Sequence, residues 1–134
     1  MKTRLLALLA LLAAACSPQP HQIQGKLQLD GASPLPEGAL VIVSLEDVSL
    51  ADAPSRTLSR LELDANRPWP VAYRFTLPQD AFEAHRQYAV SARVVASGGQ
   101  LLYINDSRYG VDPRQLEQEL DLILVPVTPL PTLQ

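Results

Sequence analysis

One cysteine in 134 residues rules out an intramolecular disulfide, so any fold must be held by packing. The 2 histidines, His21 and His85, are too few and too isolated for a zinc site, and no second ligand stands at zinc spacing from either. No metal is expected. Lys and Arg number 11 against 14 Asp and Glu, and no basic patch offers a surface for nucleic acid. There is no Gly-x-Ser-x-Gly elbow, no phosphate loop and no dinucleotide glycine motif, so no cofactor is expected. Beyond residue 15 no apolar stretch reaches the ~20 residues of a spanning helix, and no long 3.6-residue periodicity occurs. The chain reads as non-enzymatic.

What is present begins at the N-terminus. Lys2 and Arg4 precede an apolar run, Leu5 to Leu12, which ends in Ala13-Ala14-Ala15 and then Cys16. Positive start, short apolar run and small residues make a secretory signal peptide over residues 1–15. The cysteine at its end marks a bacterial lipoprotein cleavage site. The usual box has Leu three residues before the cysteine; here Ala13 holds that place and Leu12 sits one earlier. The thiol of Cys16 is expected to take a diacylglycerol and the new amine an acyl chain. Each buried methylene contributes about 0.8 kcal/mol, so several chains anchor stably where one does not. The alternative is a soluble periplasmic protein cut by the ordinary peptidase. A catalytic thiol would need a base in a folded site, and Cys16 lies in a leader. Ser17, not Asp, follows the cysteine and favours sorting to the outer membrane.

After the leader about 119 residues remain, enough for one domain. The net charge of −3 becomes −5 once Lys2 and Arg4 are removed, so the membrane is expected to hold the protein through lipid alone. Residues 16–22 read as a lipidated tether, 23–125 as the domain and 126–134 as a Pro-rich tail. Prolines 34, 36, 54, 68, 70, 78 and 113 punctuate short elements. Period-2 alternation predicts strands over 23–30, 58–63, 71–77, 88–94, 101–104 and 120–125, with a more continuous apolar strand over 39–48 placed centrally. Asp112 and Pro113 could open one helical turn within 111–118. Gly98-Gly99 makes a hairpin turn. About seven short strands with turns every 8–12 residues predict an all-β fold, a single immunoglobulin/transthyretin-like β-sandwich. Tyr88, opening a strand after a corner-like stretch from Asp80, fits either a tyrosine corner or a simple strand end.

Few residues suggest a site. Asp47, Asp52, Asp106 and Asp121 could in principle pair as hydrolase carboxylates, though acids at strand ends are more often turn formers. Asp47, Ser49 and Asp52 cluster after the central strand; they serve a ligand or satisfy backbone donors as the strand turns away, and the second reading is preferred. Trp69, between prolines, is either an exposed binding anchor or a plug at the end of the fold, and the plug is preferred.

Glu37-Gly38-Ala39-Leu40-Val41-Ile42-Val43-Ser44-Leu45-Glu46-Asp47-Val48-Ser49, followed by Ala51-Asp52-Ala53, resembles the hallmark of the YbaY-like lipoproteins, whose domain is shared with YscW, the lipoprotein chaperone (pilotin) of type III secretion. Pro70 to Leu77, Asp80, Tyr88 to Val94 and Gly99 to Asp106 follow in the family's order. The resemblance covers most of 22–125. It implies a lipid-anchored β-sandwich in the periplasm without catalytic residues, and for YscW-like members a secretin or other envelope protein as partner. A small-ligand or lipid carrier with an apolar cavity is the alternative, and an envelope hydrolase a weaker one.

Overall fold

The computed structural model describes residues 19–31, 34–50 and 52–127. Among these residues nine strands form: β1 (His21–Leu29), β2 (Leu40–Asp47), β3 (Arg56–Asp64), β4 (Val71–Leu77), β5 (Tyr88–Val95), β6 (Leu101–Asn105), β7 (Tyr109–Val111), β8 (Glu117–Glu119) and β9 (Leu122–Pro126). All belong to one sheet, ordered β3-β2-β5-β6-β9-β1-β4, with β7 on β5 and β8 on β1.

The seven expected strands become nine because two lanes are each broken once. β6 pairs with one end of β5 and β7 with the other. Likewise β8 and β9 both run parallel to β1, at Gln22–Gln24 and Leu27–Leu29. The breaks fall at Asp106–Arg108 and Leu120–Asp121, where polar or backbone demands interrupt the alternation. No helix occurs among the described residues, so the helical turn expected after Asp112 is corrected. Asp112 does accept from the Arg114 backbone N–H, as a cap would. The Gln118 side chain then bonds the Asp112 backbone on both its N–H and C=O sides, and the chain turns straight into β8.

Period-2 patterning decides which residues meet. Along β4 buried and exposed residues alternate without a break, and Val71, Tyr73, Phe75 and Leu77 face inward. Ile23 and Leu27 of β1, Val41, Val43 and Leu45 of β2, Val90 and Val94 of β5, and Leu122 and Leu124 of β9 lie in the same cluster, essentially without exposed surface. Residues from opposite sides of one sheet share a core only if the sheet curls on itself, making a barrel-like body. β3 and β4 are its two unpaired edges among the described residues.

β2 is central, as expected, between β3 and β5. Val41 to Leu45 are buried on both faces of the strand, Leu40 at its start is exposed, and Ile42 lies between its cross-strand neighbours Glu62 and Arg93. The tether boundary also moves. His21 and Gln22 belong to β1, and His21 is buried, its ring nitrogens against the Gln115 and Gln79 carbonyl oxygens at 3.0 and 3.2 Å. The tail boundary moves too, because Pro126 ends β9. Cys16, Ser17 and residues 128–134 lie outside the described residues.

Candidate functional site

Asp47 ends β2 at a buried position beside the connection between β4 and β5. One carboxylate oxygen accepts from both the Ser49 backbone N–H and the Ser49 hydroxyl; the other accepts from Arg86 at 3.0 Å. The Ser49 oxygen in turn accepts from the Gln87 N–H at 2.9 Å, and the Val48 N–H donates to the Gln87 carbonyl. Arg86 also reaches Glu83 at 2.6 Å. The Ser49 hydroxyl, its N–H and the Arg86 guanidinium hold the Asp47 carboxyl below the ordinary carboxylate value, outweighing the opposing effect of burial. Asp47 and Ser49 thus tie a strand end to a loop, which is the preferred reading of their sequence pattern. Asp52 is exposed in the following turn and takes no part in this network.

The same end carries the corner. Glu83 N–H donates to the Tyr88 hydroxyl at 2.8 Å, across the connection that Tyr88 closes, so the tyrosine-corner alternative holds. The Phe82 ring sits 4.8 Å from His21 and 4.6 Å from Tyr88, joining the start of β1 to the start of β5. Arg86 was not singled out by any spacing; only the loop's return to Asp47 gives it a role.

Trp69 lies at the opposite end, in the turn between β3 and β4. It is half-buried against the core and donates from Nε1 to the Ala65 carbonyl at 3.1 Å. Its peptide bond to Pro70 is cis. A shallow cleft there is lined by Leu29, Pro34, Leu35, Asn66 and Trp69. The four sequence-nominated residues therefore do not converge: Asp47 and Ser49 meet, Asp52 stands apart at their end, and Trp69 lies half-buried at the other.

The remaining carboxylates are also dispersed. Asp106 accepts from the Tyr109 hydroxyl at 2.6 Å, which holds it below its ordinary value; Asp121 accepts from the Lys26 N–H at 2.9 Å. No group of three or more metal-ligating side chains occurs among the described residues. The space between the curled halves is filled by Tyr73, Phe75, Tyr88, Tyr103 and the aliphatic core, none more than 8% exposed. That geometry gives neither a carboxylate pair nor a lipid-sized chamber a place in the region they occupy.

Sequence inspection passed over Gly25. A Cβ there would stand 1.8 Å from the Leu120 carbonyl oxygen. That oxygen accepts from the buried Tyr73 hydroxyl at 2.6 Å, and the Leu120 N–H donates to the Gln24 carbonyl at 2.8 Å. The break between β8 and β9 is seated on this bare backbone. A glycine inside an alternating strand is the signal for such an approach.

Among the described residues the body is all-β, its acids do not converge, and its polar groups tie strands and loops together. The model of the type III secretion system lipoprotein chaperone family, YscW, matches residues 18–124, and the chain belongs to that family. The fold is similar to a solved structure of an alternative pilotin from the type II secretion system of Vibrio cholerae, with TM-score 0.71 and 28% identity, covering 82% of this chain and 99% of that one. No curated protein matches the sequence at a significant level.

Proposed function

We propose that this chain is a non-enzymatic pilotin: a lipid-anchored lipoprotein of the cell envelope that chaperones an outer-membrane component of a secretion system, such as a secretin. The observation that carries it is the family match over residues 18–124, joined by a likeness spanning nearly all of a solved pilotin. Cys16 is the proposed lipidation site, cleavage falls after residue 15, and the outer membrane is the proposed destination. The two halves of the curled sheet correspond, on this reading, to the layers of an immunoglobulin/transthyretin-like sandwich, and the corner at Tyr88 supports that.

Cys16 precedes His21 by five residues, a reach of at most about 18 Å fully extended. The end bearing Asp47, Phe82 and Tyr88 is then held near the membrane, and the end bearing Trp69 and Leu40 points away. Membrane fractionation and deletion test the proposal together. Loss of the chain lowers secretin multimers or leaves them in the wrong membrane, and Cys16→Ser releases the protein into the soluble fraction. Unchanged secretin assembly in the deletion strain overturns the pilotin role.

A further inference from the structure

The outward faces of the sheet differ in chemistry. On β1 and β4 the outward positions are mostly polar: Gln24, Lys26 and Gln28 with the half-exposed Gln22, and Arg74 and Thr76 beside Ala72. Across β2, β5, β6 and β9, at the end away from the anchor, they are apolar except at Arg93. Register shows how these positions line up. Arg93 pairs with Ile42 on one side and Ile104 on the other, and Ile104 pairs with Val125. Inward-facing Tyr103, Leu122 and Leu124 fix Ile104, Ile123 and Val125 on the outer surface. One rung further towards the distal end, Leu40 pairs with Val95. Ile104 and Ile123 are 40% and 42% exposed, and Leu40 37%. Isolated exposed aliphatics are ordinary; neighbours on adjacent strands make a patch, and such patches mark interaction sites.

A charge sits inside the patch. Arg93 is exposed and makes no ion pair among the described residues, while Glu62, on the far side of Ile42, is taken by Arg60 at 2.7 Å. Four lanes at about 4.8 Å spacing give a face ~14 Å wide, broad enough for one segment of a partner to lie across it.

We propose that this face, centred on Arg93 and Ile104, docks an amphipathic segment of the secretion-system partner, with apolar residues against Ile104, Ile123, Val125 and Leu40 and a carboxylate on Arg93. The inference rests on the pilotin reading. Two observations on the molecule support the occupant, the apolar surface and the unmatched cation within it; with Cys16 lipidated as proposed, this half of the sheet also turns away from the membrane.

Site-specific photocrosslinking in cells tests it, with a benzophenone amino acid placed singly at Ile104, Ile123, Thr76 and Leu50 of the full-length protein and the secretin detected by antibody. Crosslinks to the secretin from Ile104 and Ile123, absent from Thr76 and Leu50, are expected. Arg93→Glu lowers the Ile104 crosslink by at least about tenfold without lowering the protein's own level, because it opposes like charges in the interface. Secretin crosslinks from Thr76 or Leu50 alone, or Ile104 crosslinks only to a second copy or to the chain's own tail, overturn the docking face but leave the pilotin role standing. So does an absence of crosslinks where secretin multimers still depend on the protein. If multimers are also indifferent to deletion, both the role and the face fall.

Discussion

Replacing Gly25 with Ala is the sharpest perturbation the fold offers. The new Cβ stands 1.8 Å from the Leu120 oxygen and 2.5 Å from its carbon, both backbone atoms that no rotamer can move. Ordinary contact begins at 3.4 Å, so the β8–β9 break must retreat by about 1.6 Å. That retreat stretches the 2.8 Å bond from Leu120 N–H to Gln24 and the 2.6 Å bond from Tyr73 well beyond the ~3.2 Å hydrogen-bond limit. It also pulls Asp121 from the Lys26 N–H. Three lost bonds at roughly 1 kcal/mol each, plus a buried Tyr73 hydroxyl left without a partner, come to about 3–5 kcal/mol. For a domain near 100 residues this lowers Tm by roughly 15–30 °C. Thermal unfolding followed by circular dichroism and by the single tryptophan measures it. Tyr73→Phe removes one of the same bonds and costs about 1–2 kcal/mol; because both changes strike one contact, their combination costs less than the sum. A loss below ~1 kcal/mol for Gly25→Ala, or strict additivity with Tyr73→Phe, refutes the close approach.

Four further outcomes are expected. Leu45→Ala, at a position with no exposed surface, costs about 2–5 kcal/mol in urea unfolding; a loss under ~1 kcal/mol contradicts the shared core. Tyr88→Phe removes the acceptor of the Glu83 N–H and costs about 1–2 kcal/mol, readable as faster amide exchange at Glu83. Asp47, Asp106 and Asp112 have folded-state values below the ordinary 3.8, so their contribution is complete above that pH and is lost as pH falls beneath it; Asp47→Asn shallows the acid limb of the stability curve, and an unaltered limb counts against the Ser49 and Arg86 ties. Burial, and secondarily the nearby Asp121 and Glu119 charges, raises the Tyr73 phenol above its ordinary value of 10, so stability falls above about pH 10 as the unfolded chain ionises first, and this alkaline loss is smaller in Tyr73→Phe.

Strand positions were legible because alternation is local. β4 matches its reading residue for residue, since every second side chain is apolar and proline fixes its start. β3 extends further at both ends than its apolar residues indicate, because an edge strand needs only backbone partners from β2 to continue through Arg56 and Asp64. β7 and β8, three residues each, carry no pattern long enough to read; they exist because β5 and β1 offer backbone groups that need partners. His21 looks like a tether residue in sequence and is buried only because Phe82, Gln79 and Gln115 close over it from distant parts of the chain.

Composition and order alone determined an all-β chain with no internal disulfide, and a turn role for Asp47 and Ser49, since each follows from residue type and near-neighbour spacing. Tertiary structure alone decided that one sheet curls to bury both its halves, that Gly25 must lack a side chain, and that Arg93 stands among Ile42, Ile104 and Val125. These depend on register between strands far apart in the chain, which hydrogen bonding between backbones sets and no local pattern encodes.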